Sequence, residues 1–598
     1  MEYGVIGNCK SAALIDQRGT IVWCCLPDFD SASVFAKLLD EGKGGSFGFD
    51  VDETYTVSQA YIPNTNILRT VFESPSGGFE LIDLMPRHKD DHQHYAPPEL
   101  LRYLRRTHGK PVFKVRYQPR LGYAQYETVS ESHSAYIKSL VQEGPYESLY
   151  LYTNLSHAAV LEGQPVMLEN EAFLLLSYHQ KVTAVTRDRM IFEVERTKVY
   201  WLDWVERTSV LARWNEPVRR SALVLKLLSY QETGAILAAV TTSLPESLGS
   251  RRNWDYRFCW IRDATMTLNI LSQLGHFNIA ENFFKYVLRV VPYKDDEIQI
   301  MYGIRGRKSL EEKELDWLDG YKGNRPVRIG NAAHIQRQHD IYGVLLNAIL
   351  KYLEVFTCDE AMIEHLWTMT RSLARAVMRT WQLPDVSIWE YRTHPDHFTF
   401  SKMLCWVALD RSAKIAELLG TGGQAEAWRQ EAAAIRADIL TNSWSETAGA
   451  FTQRYGSESL DASVLLMASY GFIDPLDSRF VATVHKIRKD LSLDGLMFRY
   501  KDDDDFGTPK SSFTVCSFWM VKALWQIGEH DEAEAMFNRL LGYANALGLY
   551  SEDLDFTTKE QLGNFPQGYS HLALIDCALT LGGKQRATAP IFSRPASH

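Results

Sequence analysis

Phe113-Lys114-Val115-Arg116-Tyr117-Gln118 and, far downstream, Trp428, Ala432, Ile435 and Ile439 obey two different periods, and the switch between them decides the fold. In the first stretch apolar and polar residues alternate, the period of two of a half-buried strand. Similar short runs recur at Tyr55-Thr56-Val57, Ile67 to Phe72, Leu149 to Tyr152, Ala172 to Tyr178 and Val182 to Val185. Turn signals such as Pro75-Ser76-Gly77-Gly78, Gly109-Lys110-Pro111 and Gly163-Gln164-Pro165 punctuate them. Many short strands with such punctuation predict an antiparallel β-sandwich over roughly the first two hundred residues. In the second stretch the spacing is helical, as it is for Leu404, Val407 and Ala408. Leu418-Leu419-Gly420 and then Gly422-Gly423 supply a helix stop.

Further helical stretches lie near 219–230, 263–290, 334–356, 360–381, 460–470, 511–527, 530–545 and 570–581. That makes roughly ten to twelve helices, and twelve would close an (α/α)6 barrel. The boundary falls between 205 and 245, where Thr241 to Glu246 reads as extended chain. The expected organisation is therefore two domains, an N-terminal antiparallel β-sandwich over 1–215 and a helical barrel over 216–598. Asp502-Asp503-Asp504-Asp505 reads as a solvated loop, Arg102 to Arg106 as an exposed strand edge, and the last dozen residues as a frayed tail.

The chain has 598 residues, 45% hydrophobic and 23% charged, a globular composition. Its 64 Lys and Arg against 74 Asp and Glu leave a net charge of −10 with no long basic run, which argues against a nucleic-acid or anionic-membrane partner. No stretch of 18 apolar residues occurs and the N-terminus has no signal-peptide pattern, so the expected location is cytoplasmic. Cys9, Cys24, Cys25, Cys259, Cys358, Cys405, Cys516 and Cys577 form no CxxC pair and read as buried thiols rather than a disulfide framework or a zinc cluster. The 12% aromatic content suits sugar rings and hydrophobic cores alike.

Four segments gather chemistry-bearing residues. Arg252 to Asp263 is dense in aromatic and ionic groups. Within it, Arg262-Asp263 is fit either to grip two vicinal hydroxyls or to form a buried salt bridge. In Pro384 to Arg392, Glu390 stands between two aromatics, surroundings that raise a carboxyl pKa toward that of a general acid, unless Glu390 simply pairs with Arg392. Gly548 to Asp555 carries Glu552, Asp553 and Asp555, a base, a metal-ligand set or a solvated acidic turn. Gly320 to Asn331 is a loop with basic groups that lacks the ending of a phosphate loop. HExxH and GxGxxG do not occur, and His394 with His397 reads as a surface turn, leaving no metal site. Two loop carboxylates among aromatics point toward glycoside chemistry.

These segments resemble glycoside hydrolase family 15, the family of glucoamylases, glucodextranases and bacterial or archaeal trehalases. Arg252 to Asp263 is similar to its RNWDYR-x-CW-x-RDA signature; Met301 to Ile304, Gly323 to Gly330, Ile388-Trp389-Glu390, Ser551-Glu552 and Gly563 to Gln567 follow in family order. Tyr3 to Gly7 and Trp23 to Asp30 look like the prokaryotic two-domain form. The resemblance implies a sandwich followed by an (α/α)6 barrel and an inverting exo-acting α-glucosidase. It would release β-glucose from trehalose or short malto- or isomalto-oligosaccharides, with no cofactor and no metal. It implies Glu390 as general acid and Glu552 as general base, with Asp553 the alternative base. Arg262 and Asp263 would hold the nonreducing-end glucose, and Tyr256 would place the water. Trp260, Trp389, Arg325, Arg499 and Tyr500 are the further expected substrate contacts, with Arg328 in the same loop as Arg325. The competing readings are a non-catalytic carbohydrate-binding or regulatory protein on this fold, and a phosphorylase of related architecture, in which no base carboxylate is required.

Overall fold

The structure, a computed structural model, describes residues 1–90, 93–291 and 298–582; the tail expected at the C-terminus lies outside them. Two antiparallel sheets face each other at the N-terminal end. Tyr3–Gly7, Ala12–Asp16, Ile21–Cys25, Ser46–Asp50, Val112–Gln118 and Pro165–Met167 follow one another across the first sheet, with Ser33–Phe35 paired to Ile21–Cys25. The second runs in the order Thr128–Ser132, Ile137–Val141, Ser148–Thr153, Glu171–Tyr178, Glu99–Gly109, Gly77–Leu84, Leu68–Ser74, Thr56–Tyr61. The alternation in Val112–Gln118 has the expected result: Phe113, Val115 and Tyr117 are buried while Val112, Lys114 and Gln118 are exposed. Phe113 packs with Phe49 and Phe79 in the core between the sheets.

Arg102 to Arg106 is not a strand edge. Glu99–Gly109 pairs on both sides, with Gly77–Leu84 and Glu171–Tyr178. Arg102 is fully buried, its guanidinium bonding both oxygens of Asp83 at 2.8 and 3.1 Å and lying 4.9 and 4.8 Å from the rings of Phe47 and Phe49. Val182 to Val185 is a loop rather than a strand, and it leads into a twenty-residue helix, Arg187–Glu206, that the strand reading passes over. Thr186 caps that helix by accepting the Arg189 N–H, and Met190, Val194, Thr197, Trp201 and Val205 form its buried face at helical spacing.

Twelve elements then close a double ring. The inner members are Ile261–Gln273, Asp340–Val355, Thr399–Leu418, the short 3-10 segment Ala462–Leu466, Thr514–Gln526 and Gly568–Gly582; each packs on the next and the last on the first. Outside them lie Asn215–Leu228, Phe277–Val290, Glu360–Thr380, Ala425–Asn442, Ser478–Asp490 and His530–Leu541. The stretch expected as one helix over 263–290 is two, parted at Gly275, whose φ of +96° favours glycine. Inner helices such as Thr514–Gln526 are buried nearly all round, whereas Ala425–Asn442 buries a stripe through Trp428, Ala432, Ile435 and Ile439. The sandwich is bonded to the barrel through Trp23 Nε1, which donates to the Val240 carbonyl at 2.9 Å, and through Asp28, which accepts from Tyr230 and Arg305 at 2.8 and 2.9 Å.

Removing one partner of the buried Arg102–Asp83 pair strands the other charge, at a cost of about 3–5 kcal/mol. Arg102→Met is expected to lower the stability of the sandwich by that order in denaturant titrations followed by circular dichroism, and Arg102→Met with Asp83→Leu to recover most of it. A single variant within about 1 kcal/mol of the parent would sink this reading.

Candidate active site

Short paired strands lead into inner helix starts and gather the polar segments at one end of the ring. Asn253–Asp255 pairs with Thr242–Pro245, and Cys259–Trp260 with Met301–Tyr302. Between them Arg257 bonds Asp255 at 2.9 and 2.7 Å, both fully buried, and donates to the Ser31 carbonyl of the sandwich at 2.9 Å. That clamp fixes the backbone on either side of Tyr256. The Tyr256 hydroxyl donates to Glu552 Oε1 at 2.5 Å, and Trp260 Nε1 donates to Glu390 Oε1 at 2.8 Å. The two rings meet edge to face, 5.2 Å between centroids.

Glu390 sits on a loop whose backbone is held in an uncommon shape. Ser387 and Glu390 adopt φ of +65° and +62°, a left-handed conformation that costs a non-glycine residue on the order of 1–3 kcal/mol. Buried acceptors hold it there: Asp385 takes the N–H groups of His339 and Ser387 at 2.9 and 3.4 Å, and Asp461 takes Trp389 Nε1 at 2.8 Å. Burial pushes both of these aspartates up to about 6. Arg392 does not pair with Glu390; its guanidinium forks onto Glu312 at 2.9 and 3.3 Å. Burial raises the Glu390 carboxyl above the ordinary glutamate value, against the pull of Arg262 at 4.0 Å and of the Trp260 N–H.

Glu552 precedes the three-strand cluster Ser512–Phe513, Asp553–Leu554, Gln561–Leu562. Its Oε2 accepts the Asn564 N–H at 3.2 Å. Gly563 makes the close approach possible: its φ is +74°, and a Cβ there would lie 2.6 Å from both Cβ and Oε2 of Glu552. Glu552 is 1% exposed, one layer behind the cavity wall, and Tyr256 stands between it and the cavity. Burial and then the neighbouring Glu246 push it up to about 8, while Tyr256, the Asn564 N–H and Arg499 work the other way. Asp553 is equally buried, but its Oδ1 accepts from Ser511 at 2.8 Å. Neither is a solvated turn.

The cavity, about 860 Å³ with its mouth included, is lined from first turns of the inner helices by Arg262, Asp263 and Tyr569, from the strand Asn253–Asp255 by Trp254, and from loops by Glu246, Arg252, Arg392 and Asp504 to Phe506. Trp260, Trp389, Glu390 and Arg499 also line it. Arg262 bonds Asp263 at 3.2 Å, Asp340 at 3.2 Å and Gln338 at 3.0 Å, so the neighbour pair is both a salt bridge and a wall of the cavity. Arg499 pairs with Glu246 at 2.7 Å. Arg499 Nε and Gln567 Oε1, buried in this wall, have no hydrogen-bond partner among the described residues. Tyr500 does not reach the cavity: it is buried behind Trp389 and Tyr391, with its hydroxyl on Asp504. Arg325 lies outside it, half exposed and paired with Asp319, and Arg328 stands behind Trp254, 4.8 Å from the ring. Asp504 departs from the solvated loop expected of this run, its side chain 6% exposed beside Arg252, whereas Asp503 is exposed and Asp505 is partly exposed on the cavity wall. Sequence reasoning passed over Glu246, Tyr569 and Phe506. Glu246 ends an extended run that was visible, but its nearness to Glu552 comes only from the pairing of Thr242–Pro245 with the signature segment.

No group of three His, Cys, Asp or Glu among the described residues is placed to hold a metal ion, the eight cysteines are free, and no helix there is long and apolar enough to cross a membrane. Residues 213–579 match the glycosyl hydrolases family 15 and residues 2–148 match the trehalase-like N-terminal family. The chain is 37% identical to a trehalase of Mycolicibacterium smegmatis over 97% of its own length and 90% of the relative's. It is 32% identical to a trehalase of Thermoplasma volcanium over 96% and 92%. A bacterial glucoamylase solved with acarbose shares the fold at 13% identity, with a TM-score of 0.71 over 97% of this chain and 93% of that one. A family match spanning 213–579, joined to relatives above 30% identity along nearly the whole chain, settles the assignment: this is a glycoside hydrolase of glycosyl hydrolases family 15.

Proposed function

We propose that this hydrolase cleaves α,α-trehalose with inversion, Glu390 acting as general acid and Glu552 as general base. The observation that carries the reading is the suspension of these two carboxylates from adjacent aromatic side chains, Trp260 and Tyr256, beside one cavity. The trehalases of Mycolicibacterium smegmatis and Thermoplasma volcanium support the choice of sugar. Glu390, raised by burial, gives its proton to the glycosidic oxygen. Glu552 takes up the proton of a water held against Tyr256 by way of the Tyr256 hydroxyl, which passes its own proton to Glu552 as it accepts the water's, and that water attacks the anomeric carbon from the opposite ring face. Inversion requires room for it, a carboxyl separation of roughly 6.5–9.5 Å against the roughly 5–5.5 Å of a retaining enzyme.

Arg262 and Asp263 grip hydroxyls of the glucose being transferred. The unpartnered Arg499 Nε and Gln567 Oε1 offer one donor and one acceptor to the sugar. Trp389 supplies the adjoining aromatic wall. Division into a sandwich over 1–215 and a catalytic barrel over 216–598 belongs to the same proposal.

Proton NMR of the first turnovers on trehalose in phosphate-free buffer is expected to show β-glucose and α-glucose in equal amounts; α-glucose alone would refute inversion. Glu390→Gln and Glu552→Gln should each lower kcat by about 10²–10⁴-fold with unchanged melting temperature. If Glu552→Gln keeps parental activity while Asp553→Asn loses it, the base is Asp553.

The rate also has a predicted pH dependence. It should rise as Glu552 ionises and fall as Glu390 loses its proton. Tyr256, Glu246, Arg499 and Asp553 surround Glu552. Glu246→Gln removes a like charge and releases Arg499, both of which favour the ionised base. The ascending limb should move to lower pH by about one unit. An unmoved limb would exclude Glu246 from control of the base.

A further inference from the structure

The loop between Tyr500 and the helix at Thr514 holds an acidic run that the mechanism above does not use. Its residues are tied both to the segment that carries Tyr256 and Trp260 and to the loop that carries Glu390. On one side Asp504 accepts from Arg252 and from the Tyr500 hydroxyl, and Arg252 donates also to the Gly507 carbonyl. On the other side Asp505 accepts the backbone N–H of Arg392 and the Thr393 hydroxyl, two and three residues beyond Glu390. Phe506 lies between them, its ring 5.0 Å from that of Trp254 at 70°, and the Arg392 guanidinium covers Trp254 and Phe506 at 4.5 and 5.4 Å. Asp504, Asp505 and Phe506 all line the cavity that holds Arg262 and Asp263.

From this bridging we infer that the Asp502 to Gly507 loop, with Phe506 set against Trp254, closes the leaving-group side of the cavity after a single sugar ring and so selects α-linked disaccharides over longer α-glucans. The inference rests on the hydrolase reading and deepens it. A third ring attached to the leaving glucose would have to displace Phe506 or break the Asp505 bonds to Arg392 and Thr393. Those bonds hold the far end of the catalytic loop, so opening the pocket for a longer chain would also disturb Glu390. Binding a shorter substrate leaves both intact. The loop therefore discriminates by coupling an outer steric stop to the placement of the acid.

The test compares kcat/KM on disaccharide and trisaccharide pairs that differ only on the leaving-group side: trehalose against α-maltosyl α-glucoside, and maltose against maltotriose. The parent, Phe506→Ala and Asp505→Ala are measured with melting temperatures as a folding control. In whichever pair the parent turns over, the trisaccharide is expected to be at least about tenfold poorer, and the ratio to move toward unity by a similar factor in Phe506→Ala. Asp505→Ala, which unpins the loop without touching the ring, should move the ratio in the same direction and keeps the test open if Phe506→Ala does not fold. Equal turnover of both members by the parent, or an unchanged ratio in the folded variants, overturns the loop's role while leaving the hydrolase reading in place. A parent inactive on every one of these sugars overturns both.

Discussion

Two aromatic side chains four residues apart, Tyr256 and Trp260, each hold one carboxylate, and the remainder of the site is arranged so that they can. Their spacing puts them on either side of a short bend between Asn253–Asp255 and Cys259–Trp260, so the rings touch while their polar tips reach different partners. Glu390 and Glu552 arrive on unrelated loops of the barrel, and each is fixed by the group it meets there. An aromatic N–H or O–H is well suited to this work. It donates one hydrogen bond, brings a large apolar body that lowers the local dielectric, and carries no charge that would neutralise the carboxylate it supports.

Holding that pair still requires a second layer of buried ions. Asp255 and Arg257 clamp the bend, Arg262 is braced by Asp340, and Asp385 and Asp461 brace the left-handed turn at Ser387 and Glu390. Buried charges add little net stability and cost a great deal if one partner is lost. Their concentration around one cavity fits a structure that places geometry above stability at this point. The strained φ values belong to the same pattern, for the backbone keeps them only because several acceptors hold it there.

Much of this was legible in the sequence, and the failures have physical causes. Phe113 to Gln118 declared a strand and Trp428 to Ile439 a helix because each buries one face at its own period. Arg187 to Glu206 was missed although Met190, Val194, Trp201 and Val205 keep a helical spacing, because it follows so many strands. Arg102 was misjudged because a buried arginine looks in sequence like any other, and only the cross-strand Asp83 shows what it does. Asp504 and Asp505 misled for a similar reason: the groups that hold them, the Arg252 guanidinium and the Arg392 backbone N–H, are distant along the chain. The resemblance of Arg252 to Asp263 located the pocket, but it could not tell that Tyr500 and Arg325 stand behind or outside it, which depends on side-chain packing.

The hydrogen bond from Arg257 to the Ser31 carbonyl has a wider meaning. It joins the residue that steadies Tyr256 to a loop of the sandwich, with Trp23 and Asp28 making the neighbouring connections. The backbone beside Tyr256 is thereby tied to both lobes, so a local opening of the sandwich at Ser31 would release one of the bonds that steady the bend.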